Sequence, residues 1–406
     1  EDALALLAKQ RNLVGVLRQL SGNRQLKEHG LCDDGFTLKL DAAEFQFPMK
    51  GGTVIDFKTL HVRERTQDDL WSFEGRATYL PDHDLALPRA VFEEIADGHQ
   101  GYEPCLQTMG GARLCADTGA RMLLFCLGKS GNNAKSEMTR QLNAIAPESS
   151  APIEKSLLVD TKMGKSGSSP TPELAMLRGM RILTLGDTCT DIKLNEGSVR
   201  RLVGGDVMYS RELNESPHPF TMLGKVTLNA NNSARFDVTQ EDLRGKIKLY
   251  PFTHKFEQNA ENKALTESYR TTHLDQFFTY YARGAHDYAL NGLRSCDWLE
   301  KEREKFLVGI NPIGEFINEC CVLEPYRTDV DVESRRVRAF TPSLALFHEY
   351  EEWLDANPES DNEVVHTLVH FGRLLSSIPG ISATKQHRLN QKKEPVHSHR
   401  LWPVKC

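Results

Sequence analysis

The run Met122-Leu123-Leu124-Phe125-Cys126-Leu127, followed at once by Gly128-Lys129-Ser130-Gly131-Asn132-Asn133-Ala134-Lys135-Ser136, limits what this chain can become. Six apolar residues in a row read as a strand buried on both faces, as in a parallel sheet. A Gly/Asn-rich turn and then helical periodicity over 135–145 make the unit strand–turn–helix. The turn approximates the phosphate-binding pattern G-x-x-x-x-G-K-[ST], in which backbone N–H groups, a lysine and a hydroxyl surround phosphate. Lys135 and Ser136 fit it. Ala134 stands where the last glycine belongs, and Gly128 lies one residue upstream of the first. Gly131, Asn132 and Asn133 are residue types that tolerate the positive φ values of a tight turn.

The chain has 406 residues, room for two or three domains. It begins at Glu1 without a methionine, so it is expected to be cut from a longer protein. Lys+Arg 50 against Asp+Glu 56 gives a net charge of −6. That balance argues against a protein that coats nucleic acid by bulk charge. It leaves open a narrow channel with local basic groups. No apolar run approaches the roughly 20 residues of a membrane span, and no signal-peptide pattern opens the chain. The nine cysteines are irregularly spaced and are expected to be free intracellular thiols.

Along the chain, 1–30 carries two short helical patterns. Residues 36–80 alternate like strands (FTLKL, FQFPM, TVIDFKTLHV), with a turn at Lys50-Gly51-Gly52. Helices are expected over 88–118. After the strand–turn–helix unit, a Ser/Gly/Pro-rich loop at about 163–172 leads to a very apolar strand, MRILTLGDT. A helix over 195–203, a hairpin within 207–230 and a strand KIKLYPF follow. Residues 256–380 read as mostly helical. The tail 381–406 is basic. Alternating strands and helices in the middle favour an α/β core with an ATPase-like architecture. The expected fold is an AAA+-like P-loop core, flanked by a mixed N-terminal segment and a mostly helical C-terminal domain. Expected boundaries are 1–115, 116–255 and 256–406.

Two further residues suit nucleotide chemistry. Asp187 ends an apolar strand about 50 residues after the loop, where an acid holds Mg²⁺ and orients water. A strand-end aspartate capping a turn reads equally well there. Asn231 ends the strand in VTLNANN, where it would sense the γ-phosphate or serve as an ordinary turn asparagine. Gly204-Gly205-Asp206 is a turn with Arg200, Arg201 and Arg211 around it.

Taken in order, the K-S loop, LRGMRILTLGD, KLNEGSVRRLVGGDVMYSREL, KVTLNANN and KIKLYPF resemble the superfamily 3 helicase domain of poxvirus-type primase-helicases. These come from large cytoplasmic DNA viruses, with phage and plasmid relatives. Asn195-Glu196, Arg200, Gly204-Gly205-Asp206, Arg211, Asn231 and Pro251-Phe252 fall in register with the family's motifs. GGTVIDFKTLHVRERTQDDL and GAHDYALNGL resemble its segments before and after the helicase core. The resemblance implies a homo-hexameric ring with ATP and Mg²⁺ between subunits and a single DNA strand in the central pore. It implies an upstream primase domain and replisome partners, and action at the viral replication site in the host cytoplasm or in the nucleus.

On this resemblance, Gly131, Asn132, Asn133, Ala134, Lys135 and Ser136 hold nucleotide, with Gly131 and Asn133 matching the family's middle glycine and asparagine. Lys129 and Ala134 replace its first and last glycines. Ser136 and Asp187 hold Mg²⁺, and Lys135, Asp187 and Asn231 act in hydrolysis. Lys246 or Arg244 is supplied by a neighbouring subunit, in place of the family's arginine. Arg200, Arg201, Arg211, His218 and Lys225 contact DNA, with His218 in the turn of a pore hairpin over 207–230 and Arg211 and Lys225 flanking it. A nucleotide-binding scaffold or clamp without hydrolysis is the rival expectation, and a small-molecule P-loop kinase is a third.

Overall fold

A computed structural model describes residues 41–322 and 341–386 apart from short interruptions (42, 67–68, 129–130, 160–170, 189–191, 212–216, 232–233, 238, 358–363, 379–380 and 382), together with 396–399 and 402–403. The helical patterns of 1–30, the strand FTLKL, Lys129 and most of the Ser/Gly/Pro-rich loop lie outside the described residues. The chain forms two compact units, one within Glu1–Ala234 and Gly245–Glu300, the other within Arg235–Arg244 and Lys301–Cys406.

The larger unit opens with an antiparallel sheet of β1 (Gln46–Met49), β2 (Thr53–Asp56) and β3 (His61–Glu64). Gly51 and Gly52, at φ 85° and 71°, make the β1–β2 turn, as Lys50-Gly51-Gly52 predicts. Helices α1 (Ala86–Ile95) and α2 (Tyr102–Ala112) follow. Next come β4 (Leu123–Leu127), α3 (Lys135–Ile145), β5 (Ser150–Pro152), the short α4 (Pro172–Ala175) and β6 (Ile182–Thr188). The two-residue β7 (Ile192–Lys193) leads to α5 (Glu196–Val203). Strands β8 (Val207–Ser210) and β9 (His218–Thr221) form a hairpin, and β10 (Lys225–Ala230) returns to the core. After β11 (Ala234–Arg235) and α6 (Glu241–Lys246), whose residues up to Arg244 belong to the smaller unit, β12 (Ile247–Pro251) completes the central sheet. Helices α7 (Ala260–Tyr269) and α8 (Leu274–Asn291) close the unit.

The central sheet has the order β12-β4-β10-β6-β5, and every pair in it is parallel. This is the α/β class that the alternating pattern predicts. Strand β4 lies inside the sheet, which explains its unbroken apolar run. The predicted helix over 135–145 and the strand in KIKLYPF coincide with α3 and β12. The helix expected over 195–203 runs from Glu196, and Asn195 is its cap, its side chain accepting from Ser198 N at 2.8 Å.

Glycines let α8 approach α2. A Cβ at Gly111 would run into the backbone of Gly284 and Ala285, and one at Gly284 into the Gln107 carbonyl. Tyr281 on α8 also donates to Gln141 Oε1 on α3 at 2.6 Å. The buried Arg181 joins β6 to the first layer. Its guanidinium donates to the carbonyls of Gln46, Leu114, Asp41 and Ala43 at 2.7–2.9 Å, and it lies over the Trp71 ring. Burial holds its pKa down at about 10, still cationic at neutral pH. Four carbonyl acceptors replace the water it loses.

In the smaller unit, α10 (Gly314–Cys320), α11 (Ser343–Ala356) and α12 (Leu368–Ser377) enclose Phe316, Tyr350 and Phe371, with α9 (Asp297–Gly309) preceding them in the chain. Among the described residues no helix is long and apolar enough to cross a membrane.

Candidate functional site

Parallel strands bring their C-terminal ends to one edge of a sheet, where α/β proteins bind ligands. In this sheet Leu127 pairs with Ala230, and Ala230 pairs with Thr188. The residues that follow or flank these positions are Gly128 and its loop, Asn231, and Asp187. Two of the sequence candidates meet directly. Lys135 Nζ donates to Asn231 Oδ1 at 2.9 Å and to the Gly128 carbonyl at 2.9 Å. Lys135 is 4% exposed, so its charge is held inside the loop. Asp187 lies in β6 at the same edge, and its side chain lies outside the described residues.

The loop is shaped by two left-handed residues, Asn132 (φ 59°) and Ala134 (φ 67°). Of the expected Gly131, Asn132 and Asn133, Asn132 takes a positive φ, and among the described loop residues the other is Ala134. Ala134 is the residue immediately before α3. Alanine in this region costs about 1 kcal/mol or more, where glycine would carry no Cβ penalty. Ala134→Gly is therefore expected to raise the thermal midpoint by about 2 °C, by removing that strain. Thermal unfolding checks this; a lower midpoint removes the strain argument.

Gly128 has a role its register does not suggest. A Cβ there would stand 2.8 Å from Lys135 Nζ and 2.8 Å from the Phe252 carbonyl oxygen, and closer still to Asn133 Nδ2. Only glycine lets those three groups converge. By contrast nothing stands within 4 Å of a Cβ built on Gly131. The segment after β12 supports the loop from outside. Phe252 N donates to the Leu127 carbonyl at 2.7 Å, Phe256 N to the Asn132 carbonyl at 2.9 Å, and Gln258 Nε2 to Asn132 Oδ1. No sequence signal marks Phe256 or Gln258. Behind the loop, burial pushes the Cys126 thiol up to about 11, so it packs as a neutral side chain.

A cavity of about 910 Å³ opens beside the loop. Phe92 and Tyr269 give it apolar walls, and Asn132, Gln258 and Asn262 give it amide groups. Its size and mixed lining suit a small organic ligand. Ser136, the second residue of α3, is exposed on this side. The N-terminus of a helix suits an anion through its backbone N–H groups and dipole, and α3 begins here.

The remaining candidates are spread out. Lys246 immediately precedes Ile247, which pairs with Leu123 at the start of β4. It is therefore at the opposite end of the sheet from the loop, about 13 Å or more along the strands, and cannot serve the loop of its own chain. Arg244 Nη1 donates to the Ser377 carbonyl at 2.6 Å within the smaller unit, which occupies part of its fork. Arg200 and Arg201 lie in the last turn of α5, where cations suit the helix dipole, and Arg201 is exposed. Arg211 follows β8, and its backbone pairs with Thr171. The His218 backbone pairs with Ser210 in the hairpin, and its side chain lies outside the described residues.

Lys225 corrects the expectation of a DNA contact. It is 3% exposed, and its Nζ lies 2.6 Å from Asp117 Oδ1. The hairpin accordingly ends at Thr221 instead of continuing to 230, and Lys225 begins a core strand. The outward side chains of β8 are Val207 and Tyr209, 61% and 65% exposed. Tyr209 is an aromatic group that the charge pattern passed over.

No family model matches this chain. It is 26% identical over 260 residues to the Acanthamoeba polyphaga mimivirus protein named "Putative helicase L207/L206", a match covering 62% of this chain. The chain spans 27% of that relative's length. Among solved structures it is similar to an A-form apo structure of the NrS-1 C-terminal region, at TM-score 0.47 and 10% identity over 82% of this chain and 81% of that one. A second apo structure of that region gives TM-score 0.44 and 10% identity, over 81% and 79%. The chain is thus a parallel-sheet α/β protein with sequence similarity to a mimivirus protein named as a "Putative helicase".

Proposed function

We infer that this chain is the ATP-hydrolysing helicase module of a viral replicative primase-helicase of superfamily 3, acting as a hexameric ring around one DNA strand. The observation that carries the reading is the Lys135–Asn231 contact at the C-terminal edge of the sheet, with β6 ending beside it. Similarity to a mimivirus helicase supports it. In this reading residues 116–255 make the ATPase core, with 1–115 as a collar and 256–406 as the C-terminal domain.

The loop would take the triphosphate and the cavity beside it the nucleoside. Phosphate oxygens would replace the Gly128 carbonyl and Asn231 Oδ1 as partners of Lys135 Nζ, releasing the Asn231 amide. Asn231 and Asp187 would then orient water for attack on the γ-phosphorus, with cleavage of the β–γ bridging P–O bond. The oxygen donors of Ser136 and Asp187 fit Mg²⁺, which neutralises phosphate charge when bound. Lys246 would reach the γ-phosphate only from a neighbouring copy, because its own loop is at the far end of the sheet.

A second reading, a nucleotide-binding scaffold without hydrolysis, draws support from Ala134 in a left-handed conformation. Phosphate release with and without single-stranded DNA, with mass photometry in the presence of ATP, separates the readings. DNA-stimulated release by a sixfold assembly is expected. Nucleotide binding with no release would favour the scaffold. Hydrolysis by a monomer indifferent to DNA would remove the helicase assignment.

A further inference from the structure

The two ends of the β8–β9 hairpin lie against adjacent residues, Thr118 at its entry and Asp117 at its exit. At its entry, Gly205 (φ 74°) sits so close to the loop before β4 that a Cβ would stand 2.8 Å from the Thr118 carbonyl oxygen. At its exit, Lys225 lies four residues beyond Thr221 and pairs with Asp117 at 2.6 Å. Asp117 is held from the other side by the Tyr288 hydroxyl of α8, which donates to Oδ2 at 2.7 Å. Burial, and then the adjacent Asp117 carboxylate, hold the Tyr288 phenol well above its ordinary pKa, so it remains a donor.

Lys225 is also the first residue of β10, and Asn231 directly follows the last. The strand is about 20 Å long and buried throughout, between β4 and β6. A packed strand of this kind moves as a unit because interiors have no free volume to absorb a shift. Its two ends therefore report on each other. One touches Lys135 of the phosphate loop, and the other touches the foot of the hairpin.

We propose that Lys225 is a positioning residue that couples the nucleotide site to the β8–β9 hairpin, by locking the start of β10 to Asp117 beneath both hairpin ends. The inference rests on the nucleotide reading of the Lys135 loop. A buried ion pair can be replaced by apolar groups of like size with little loss of stability. What it supplies here is a fixed distance and direction, which a flexible apolar contact would not.

The test uses Lys225→Met, which keeps length and removes charge, and Tyr288→Phe, which removes one hydrogen bond to Asp117. ATP hydrolysis is measured with and without single-stranded DNA, alongside thermal unfolding. In folded Lys225→Met, KM for ATP and the DNA-free rate are expected to stay within twofold, and stimulation by DNA to fall at least tenfold. Tyr288→Phe is expected to lower stimulation by twofold to fivefold at unchanged KM, and it decides the matter if Lys225→Met does not fold. Full stimulation in a folded variant overturns the coupling. A merely structural anchor would lower both rates together, which also overturns it. If the unaltered protein hydrolyses no ATP, the nucleotide reading itself fails.

Discussion

Lys135→Ala is expected to abolish ATP hydrolysis and unwinding while leaving the fold in place. Lys135 is the cation held inside the loop, bonded to Gly128 and Asn231. Removing a group that stabilises charge in a phosphoryl-transfer site costs on the order of 10²–10³ in rate. The buried Gly128 carbonyl and the part-buried Asn231 amide oxygen also lose their donor, which destabilises by about 1–3 kcal/mol. The thermal midpoint should therefore fall by some degrees while the circular dichroism spectrum is retained. Phosphate release and strand displacement check the activity. Turnover equal to the unaltered protein would remove Lys135, and with it the loop, from the chemistry.

Gly128→Ala is expected to damage the site nearly as much, and Gly131→Ala hardly at all. The added methyl at 128 would enter the space shared by Lys135 Nζ, Asn133 Nδ2 and the Phe252 carbonyl. Relief requires moving the lysine or opening the strap over the loop, and overpacking of this kind costs about 1–3 kcal/mol. Loss of nucleotide affinity of about tenfold or more should follow. At Gly131 a Cβ meets nothing within 4 Å, so nucleotide affinity there should stay within twofold. Titration with a fluorescent ATP analogue compares the two variants. Equal losses at both positions would show that conformational freedom across the whole loop matters, and not the space at 128. The contrast is informative because motif matching picks out Gly131 and passes over Gly128.

The local elements were legible in the sequence. The 122–127 run, the helix over 135–145 and the turn at Gly51-Gly52 each follow from short-range rules of burial, periodicity and φ preference. Residues acting across the fold were less so. Lys225 beside a hairpin has the same sequence appearance as a phosphate-binding lysine. Its burial against Asp117 depends on where β10 enters the sheet. Gly128 fell outside the pattern by one residue. Its need to be glycine arises from Asn133 and Lys135 in its own loop and from the backbone of Phe252, over 120 positions away in the chain. Phe256 and Gln258 have no motif at all, and they support the loop because β12 lies alongside β4.

By itself, then, the sequence determined that a buried parallel strand runs through a tight Gly/Asn turn into a helix, and that a lysine and a serine begin that helix. It also placed Asp187 and Asn231 at or just beyond strand ends. Periodicity records only which faces of a segment are apolar, not which strand lies next to it. The order β12-β4-β10-β6-β5 was decided by tertiary packing. That order sets Asn231 against Lys135 at one end of β10 and buries Lys225 against Asp117 at the other.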